Sequence, residues 1–167
     1  ERVDPGREDW TTLNSPKVMG GITPVCTEVV SVWYAQALET IVPVSSTEAA
    51  EMSKLLENTF RMINIGMVNE LAIMCDRLNV DVWEVIEAAA TKPFGFMKFN
   101  PSAGVGGHCI PVDPSYLAHV AEGHGVTATF IERANEVNLE MPKYVVSRVA
   151  ADNGGSLKGK KVQVIGI

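Results

Sequence analysis

Cysteine is scarce in this sequence: 167 residues hold three, Cys26, Cys75 and Cys109, widely and unevenly spaced. An odd, scattered set of thiols excludes a disulfide framework and makes a reducing compartment the expected one. Neither a signal peptide nor a lipidation motif is read in it, so the expected location is cytoplasmic. Positive charge is also short. Fourteen Lys and Arg face twenty Asp and Glu, for a net charge of −6. That excludes a general nucleic-acid binder, which needs many phosphate-facing cations. One small phosphorylated ligand held by a few local charges stays compatible. No apolar run approaches the roughly 18–20 residues of a membrane span, so none is expected. Internal repeats and low-complexity tracts are missing too. Yet 46% of the residues are hydrophobic, so much surface must be buried, part of it between subunits.

The patterning predicts a mainly α chain. "SPKVMGG" (15–21) and "ETIVPVSS" (39–46) read as short strands, with "PVCTEVVSVWYAQAL" (24–38) a helix between them that starts on Pro24. This order suggests the tail of an α/β domain. A helix of roughly 30 residues follows, about 45–50 Å long. Its start is marked by a Ser45…Glu48 capping box, and it meets no proline before Asn79. Met52, Leu55, Leu56, Phe60, Ile63, Met67, Val68, Leu71 and Met74 cover most of its circumference. Such a helix is expected to pack on several sides, one of them a partner subunit. Asp81 and Glu84 start a short helix through Ala90. Asp113 is expected to cap another, with Pro114 in its first turn and its end near Gly123 or Gly125. Thr129 and Glu132 start a last helix, running to about Asp152, which Pro142 should kink or split. Val162, Val164, Ile165 and Ile167 read as a buried strand. A lone strand leaves its backbone groups unpaired. Either it pairs within the chain, or the sequence is an interior piece of a longer protein, which is the reading taken.

Between the short helix and the Asp113 helix lies "TKPFGFMKFNPSAGVGGHCIPVD", too aromatic for a disordered linker and too long for a plain connection. Gly104, Gly106 and Gly107 permit positive φ and close approach of a ligand to backbone N–H groups. Cys109 follows, just before a helix start, where exposed amides favour a thiolate. Two readings of Cys109 stand: a thiol presented to a ligand, or a buried inert one. Cys26 and Cys75, on apolar helical positions, read as inert and buried. A cysteine hydrolase built on His108–Cys109 lacks an orienting third group, and His108, Cys109 and Asp113 alone make a weak zinc signal. On the long helix, Lys54, Asn58 and Arg61 stand at i, i+4 and i+7, with Asn69 near the same face. A polar row on an otherwise apolar helix needs a partner such as a phosphate or an oxyanion.

Taken together, "ERVDPG", "AAEMSKLLENTFRMINIGMVNE", "TKPFGF" and "PSAGVGGHCIPVDP" resemble the UDP-glucose/GDP-mannose dehydrogenase family, in order and across nearly the whole chain. The closest look is to bacterial UDP-N-acetylglucosamine 6-dehydrogenases. The resemblance implies a three-part enzyme: an NAD-binding α/β domain, a helical central domain used for dimerisation, and a C-terminal nucleotide-sugar domain. By it, residues 1–45 are the end of the first part, 46–128 the central domain, 129–154 a connecting helix, and 155–167 the first strand of the third part. The NAD contacts are expected mostly outside this chain, whose Gly-rich fingerprint is missing.

The family reaction oxidises a sugar C6 alcohol to a carboxylate in two steps, with NAD as cofactor. The resemblance makes Cys109 the nucleophile, forming a thiohemiacetal and then a thioester. It gives Lys54 and Asn58 the developing oxyanion and Asp113 the positioning of water or lysine. Glu1 receives a part in handling protons. Arg2 and Val3 are expected along the sugar, Arg61 and Asn69 toward the sugar and diphosphate, and Gly106 to offer its N–H. Phe94 and Phe96 fit either an N-acetyl group or aromatic packing. Asp4 and Pro5, where the UDP-glucose branch has a glutamate-rich variant, favour an N-acetylhexosamine. UDP-N-acetylglucosamine is the expected substrate, with UDP-N-acetylmannosamine or UDP-glucose as alternatives. No metal is expected, the partner is a second copy, and the chain by itself is expected to be an inactive dimerisation module.

Overall fold

The structure, a computed structural model, describes residues 6–165. The mainly α expectation holds: five helices and two three-residue strands make up the regular elements of the described residues. The chain divides into two compact units, 1–60 and 61–167.

In the first unit, β1 (Lys17–Met19) pairs in parallel with β2 (Ile41–Pro43), Val18 opposite Val42. Between them runs α1 (Pro24–Tyr34), with Thr23 as its N-cap accepting from the Cys26 N–H and Pro24 in the first turn. A pyrrolidine is costless there, because the first helical N–H groups have no partner within the helix. None of α1 is buried, and Cys26 is exposed. The expectation of a buried, inert Cys26 is therefore corrected: an apolar stripe is buried only where another element covers it. Cys75, by contrast, is buried as expected.

Next comes α2 (Thr47–Leu78). Its cap is Ser46, one residue later than expected, whose Oγ accepts from the Ala49 N–H at 3.1 Å. Glu48 is held below the usual carboxylate range by its own backbone N–H first, then by the Ser46 and Thr47 hydroxyls. The helix ends where Asn79 turns left-handed, at φ 56°, and the Val80 N–H reaches back to the Cys75 carbonyl at 2.9 Å. Met62, Val68 and Cys75 are buried, whereas Met52, Leu56, Phe60, Met67 and Met74 are exposed. Within this chain α2 thus has a packed side and an open one.

That packed side belongs to the second unit. Met62 meets Ile131 and Ala134 of α5 (Thr129–Asp152) to form its core. A Cβ on Gly66 would stand 3.1 Å from both Cα and Cβ of Ala134, so glycine is what lets the two helices approach here. On α2 the facing residues are Met62, Gly66 and Asn69; on α5 they are Ile131, Ala134, Asn138 and Met141. Each set keeps the three-and-four spacing of one helix face.

Asp81 caps α3 (Val82–Ala90) as expected, accepting from the Trp83 N–H at 2.9 Å. One expectation fails further on. α4 runs Cys109–Gly123, so Asp113 lies inside the helix and does not cap it. The preceding Pro111 falls in the first turn, where no N–H is missed, and only Pro114 removes an internal bond. Thr129 opens α5 and Asp152 closes it, as expected, and Pro142 does not split the helix. Residues 161–165 form no strand, and Val162, Val164 and Ile165 are exposed. Among the described residues the run therefore does not pair within this chain.

Candidate active site

The long loop is real: residues 91–108 contain no helix or strand. Its first part is open. Phe94 and Phe96 are exposed, and Lys92 Nζ stands 5.1 Å above the Phe94 ring, so aromatic core packing is not their role. Lys98 pairs with Glu87 of α3. From Ser102 the loop is held to the second unit. The Ser102 N–H donates to Asn69 Oδ1 at 2.8 Å, and Ser102 Oγ donates to the Gly104 carbonyl at 2.6 Å. Gly104 has φ +115°, and a Cβ on it would lie 2.7 Å from the Asn138 carbonyl oxygen. Only glycine fits that backbone against that oxygen. Around Gly106 and Gly107 the space is open.

This loop delivers Cys109 to the first position of α4, where the thiol is exposed. His108 beside it has Nδ1 4.0 Å from Asp113 Oδ1. His108, Cys109 and Asp113 are thus brought together at one helix start, with Gly106 three residues upstream. An exposed thiol at the first turn of a helix, behind glycines without side chains, is sterically open to an electrophilic carbon. Among the described residues no three His, Cys, Asp or Glu side chains are grouped to hold a metal ion.

Lys54, Asn58, Arg61 and Asn69 all lie on α2. Lys54 is half-buried, Asn58 is fully buried and Arg61 is exposed. Asn69 is fully buried, and both ends of its amide are engaged within the fold. Nδ2 donates to Asn138 Oδ1 at 2.9 Å, while Oδ1 accepts from Ser102. Its amide therefore points at the loop, not at solvent. Asn138, buried likewise, also donates to the Met62 carbonyl at 3.3 Å. Sequence reading missed Asn138 and Ser102; an asparagine in the middle of an apolar helix face was the available signal. Glu1, Arg2 and Val3, with Asp4 and Pro5, lie outside the described residues.

Beside Ser102 a cavity of about 610 Å³ is lined by Asp76, Trp83, Met141, Tyr144 and Arg148, among others. Arg148 pairs with Asp76 at 3.0 Å. The Tyr144 hydroxyl is pushed up in pKa by burial and then by its hydrogen bond to Asp76. No helix among the described residues is long and apolar enough to cross a membrane.

The chain has counterparts among known proteins. The chain belongs to the UDP-glucose/GDP-mannose dehydrogenase family: residues 48–140 match its central domain. It is 39% identical to Protein CapL of Staphylococcus aureus, over 100% of this chain and 40% of that protein. It is 41% identical to a UDP-N-acetyl-D-mannosamine dehydrogenase of Salmonella typhi, over 90% of this chain and 35% of that one. Among solved structures it is similar to a UDP-D-ManNAc dehydrogenase from Pyrococcus horikoshii, with TM-score 0.81, 32% identity, and 92% of this chain and 37% of that one covered. The chain thus spans about 40% or less of the length of these relatives.

Proposed function

We propose that this chain is the central part of an NAD-dependent nucleotide-sugar 6-dehydrogenase, which oxidises C6 of a UDP-N-acetylhexosamine to a carboxylate. The observation that carries the reading is Cys109: an exposed thiol at the start of α4, behind a pinned glycine loop, inside the segment matched to the family's central domain.

The described residues do not fit the nicotinamide cofactor, since no turn between a strand and a helix in them has the G-x-G-x-x-G pattern; the one after β1 carries Gly20 and Gly21 side by side. In this reading NAD is bound elsewhere and serves as hydride acceptor for both oxidations. The residues of this chain carry the covalent chemistry. The Cys109 sulfur adds to the C6 aldehyde, forming an S–C bond and an oxyanion that takes up a proton. Lys54 supplies positive charge and Asn58 an amide donor to that oxyanion. After the second oxidation the carbon is a thioester. Water adds, the C–S bond breaks, and the thiolate leaves with the carboxylate released. Asp113 positions that water, and Glu1 handles its proton. Arg61, Arg2, Val3 and the Gly106 N–H contact the sugar and diphosphate. Asn69, its amide committed inside the fold, passes from substrate contact to support.

For the sugar epimer, the gluco form expected from sequence stands beside the manno form, which the names of several relatives favour. NADH formation by the full-length protein with each UDP-N-acetylhexosamine in turn separates the two. With the preferred epimer, Cys109→Ser is expected to lower complete turnover about a thousandfold. Turnover close to wild type would remove Cys109 from the chemistry. We also propose a homodimer through the central helix, whose uncovered apolar residues ask for a partner, and cytoplasmic residence. The chain by itself is expected to be inactive.

A further inference from the structure

We infer that Asn69 and Asn138 are a buried pair of positioning residues for Cys109. The inference rests on the reading of Cys109 as nucleophile. The two amides sit in the contact between α2 and α5, at 0% and 3% exposure. Their neighbours in that contact are Met62, Gly66 and Ala134, which need no polar company. Two buried amides are costly unless their hydrogen bonds are made. Here they are, and the bonding has a direction.

Asn138 Nδ2 is fixed on the Met62 carbonyl at 3.3 Å, which turns Asn138 Oδ1 toward α2. Asn69 Nδ2 donates to that oxygen at 2.9 Å. Asn69 Oδ1 is thereby left facing the loop, where it accepts the Ser102 N–H at 2.8 Å. A chain of bonds therefore runs from the α2 backbone through both amides to the backbone seven residues before the thiol.

The second tether is steric. Gly104 lies against the main-chain carbonyl of the same Asn138, close enough that a Cβ would be 2.7 Å from its oxygen. Pro142, four residues on, has no N–H to bond that carbonyl within α5. The hydrogen bond from Ser102 Oγ to the Gly104 carbonyl joins the two tethers into one turn. Both fixed points precede the open stretch of Gly106 and Gly107, and the next residues are His108 and Cys109. The amide pair thus sets the base from which the glycine arm and the first turn of α4 project. The shape of the loop, not a contact to the sugar, is the work of Asn69.

The test uses hydrogen exchange and steady-state kinetics on the full-length protein. Asn69→Leu keeps the volume and removes the acceptor. Ser102→Ala removes only the hydroxyl and keeps the N–H that Asn69 accepts. Ser102→Pro removes the N–H as well as the hydroxyl and leaves the amide pair in place, so beside Ser102→Ala it carries the test should Asn69→Leu not fold. Amides 103–108 are expected to exchange about tenfold faster in Asn69→Leu and Ser102→Pro, and within about threefold of wild type in Ser102→Ala. With the UDP-sugar, kcat is expected to fall about tenfold or more in Asn69→Leu and Ser102→Pro, with KM changed less than about threefold, and to stay near wild type in Ser102→Ala. Loop exchange unchanged in both uncoupling variants would overturn the inference. So would faster exchange with kcat intact, or a loss carried by KM alone, which would mark a substrate contact. Failure of the cysteine chemistry itself is read separately, from Cys109→Ser.

Discussion

A single hydrogen at Gly104 decides whether the cysteine loop can lie where it does. With φ +115° and the Asn138 oxygen 2.7 Å from an added Cβ, Gly104→Ala meets both backbone strain and overlap. It is expected to destabilise the fold by about 2–4 kcal/mol. Gly123, the last residue of α4, meets nothing within 4 Å. There Gly123→Ala should be neutral or stabilise by about 0.5–1 kcal/mol. Urea unfolding of the two variants beside the wild type checks the contrast, and equal effects would refute it. Tyr144 offers a second test, in pH. Burial first and the Asp76 hydrogen bond second raise its pKa above the usual value of a tyrosine. The folded state thus favours the neutral phenol. Its contribution to stability is whole below about pH 10 and is lost as pH rises through the folded pKa. Asp76→Asn weakens the second cause, so the phenolate absorbance that Tyr144→Phe abolishes should move to lower pH. A step that stays in place would leave burial as the sole cause.

Elements were legible where local chemistry alone decides them. Asp81 capping α3 needs only its own side chain and the Trp83 N–H, and it was found. Capping at Ser46 was misplaced by one because Ser45 and Ser46 present the same hydroxyl, and only the bend of the chain chooses between them. Asp81→Ala and Ser46→Ala should each cost about 1 kcal/mol, measured by thermal unfolding. A loss at neither position would deny the caps any part in stability. The start of α4 was missed by a turn because Asp113–Pro114 carries the ordinary signature of a helix start. Nothing local shows that the helix has already begun at Cys109, with Pro111 harmless in its first turn. Burial is the least legible property, since it depends on what lies opposite. Cys26 and Met62 both occupy apolar helical positions, yet Cys26 is exposed while Met62 is fully buried against α5. The surroundings of Asn69 were hidden for the same reason. Its place on the helix was read correctly, but its partners, Asn138 and Ser102, are distant in sequence. Gly66→Ala tests that contact: with Ala134 atoms 3.1 Å from the new Cβ, it should destabilise by about 1–3 kcal/mol despite a better helix propensity.

At the scale of the whole molecule, the family was legible because the motifs of loop and helix occur together in order, and the match over residues 48–140 bears this out. What no motif in this chain could give is the half of the enzyme that the proposed reaction still needs. One feature of that larger assembly can be tested with the chain's own residues. Leu56 is 64% exposed, and Met52, Phe60, Met67 and Met74 are each more than two-fifths exposed. Five large apolar side chains left uncovered on one helix are a surface that water disfavours, and covering a Leu or Met stabilises by about 1.5–3 kcal/mol. In a two-fold dimer each residue counts twice, because the same patch is offered by both copies. The full-length protein is therefore expected to sediment as a dimer at micromolar concentration. Leu56→Glu should weaken the dimer about a hundredfold or more, through the burial of two charges. Lys160→Glu, a change of charge twice as large in an exposed residue off that helix, should leave it intact. Raising the salt should not dissociate the wild type, since apolar burial is not screened. A monomer throughout, or a dimer indifferent to Leu56→Glu, would place the subunit contact away from α2 and leave its exposed methionines without the role proposed.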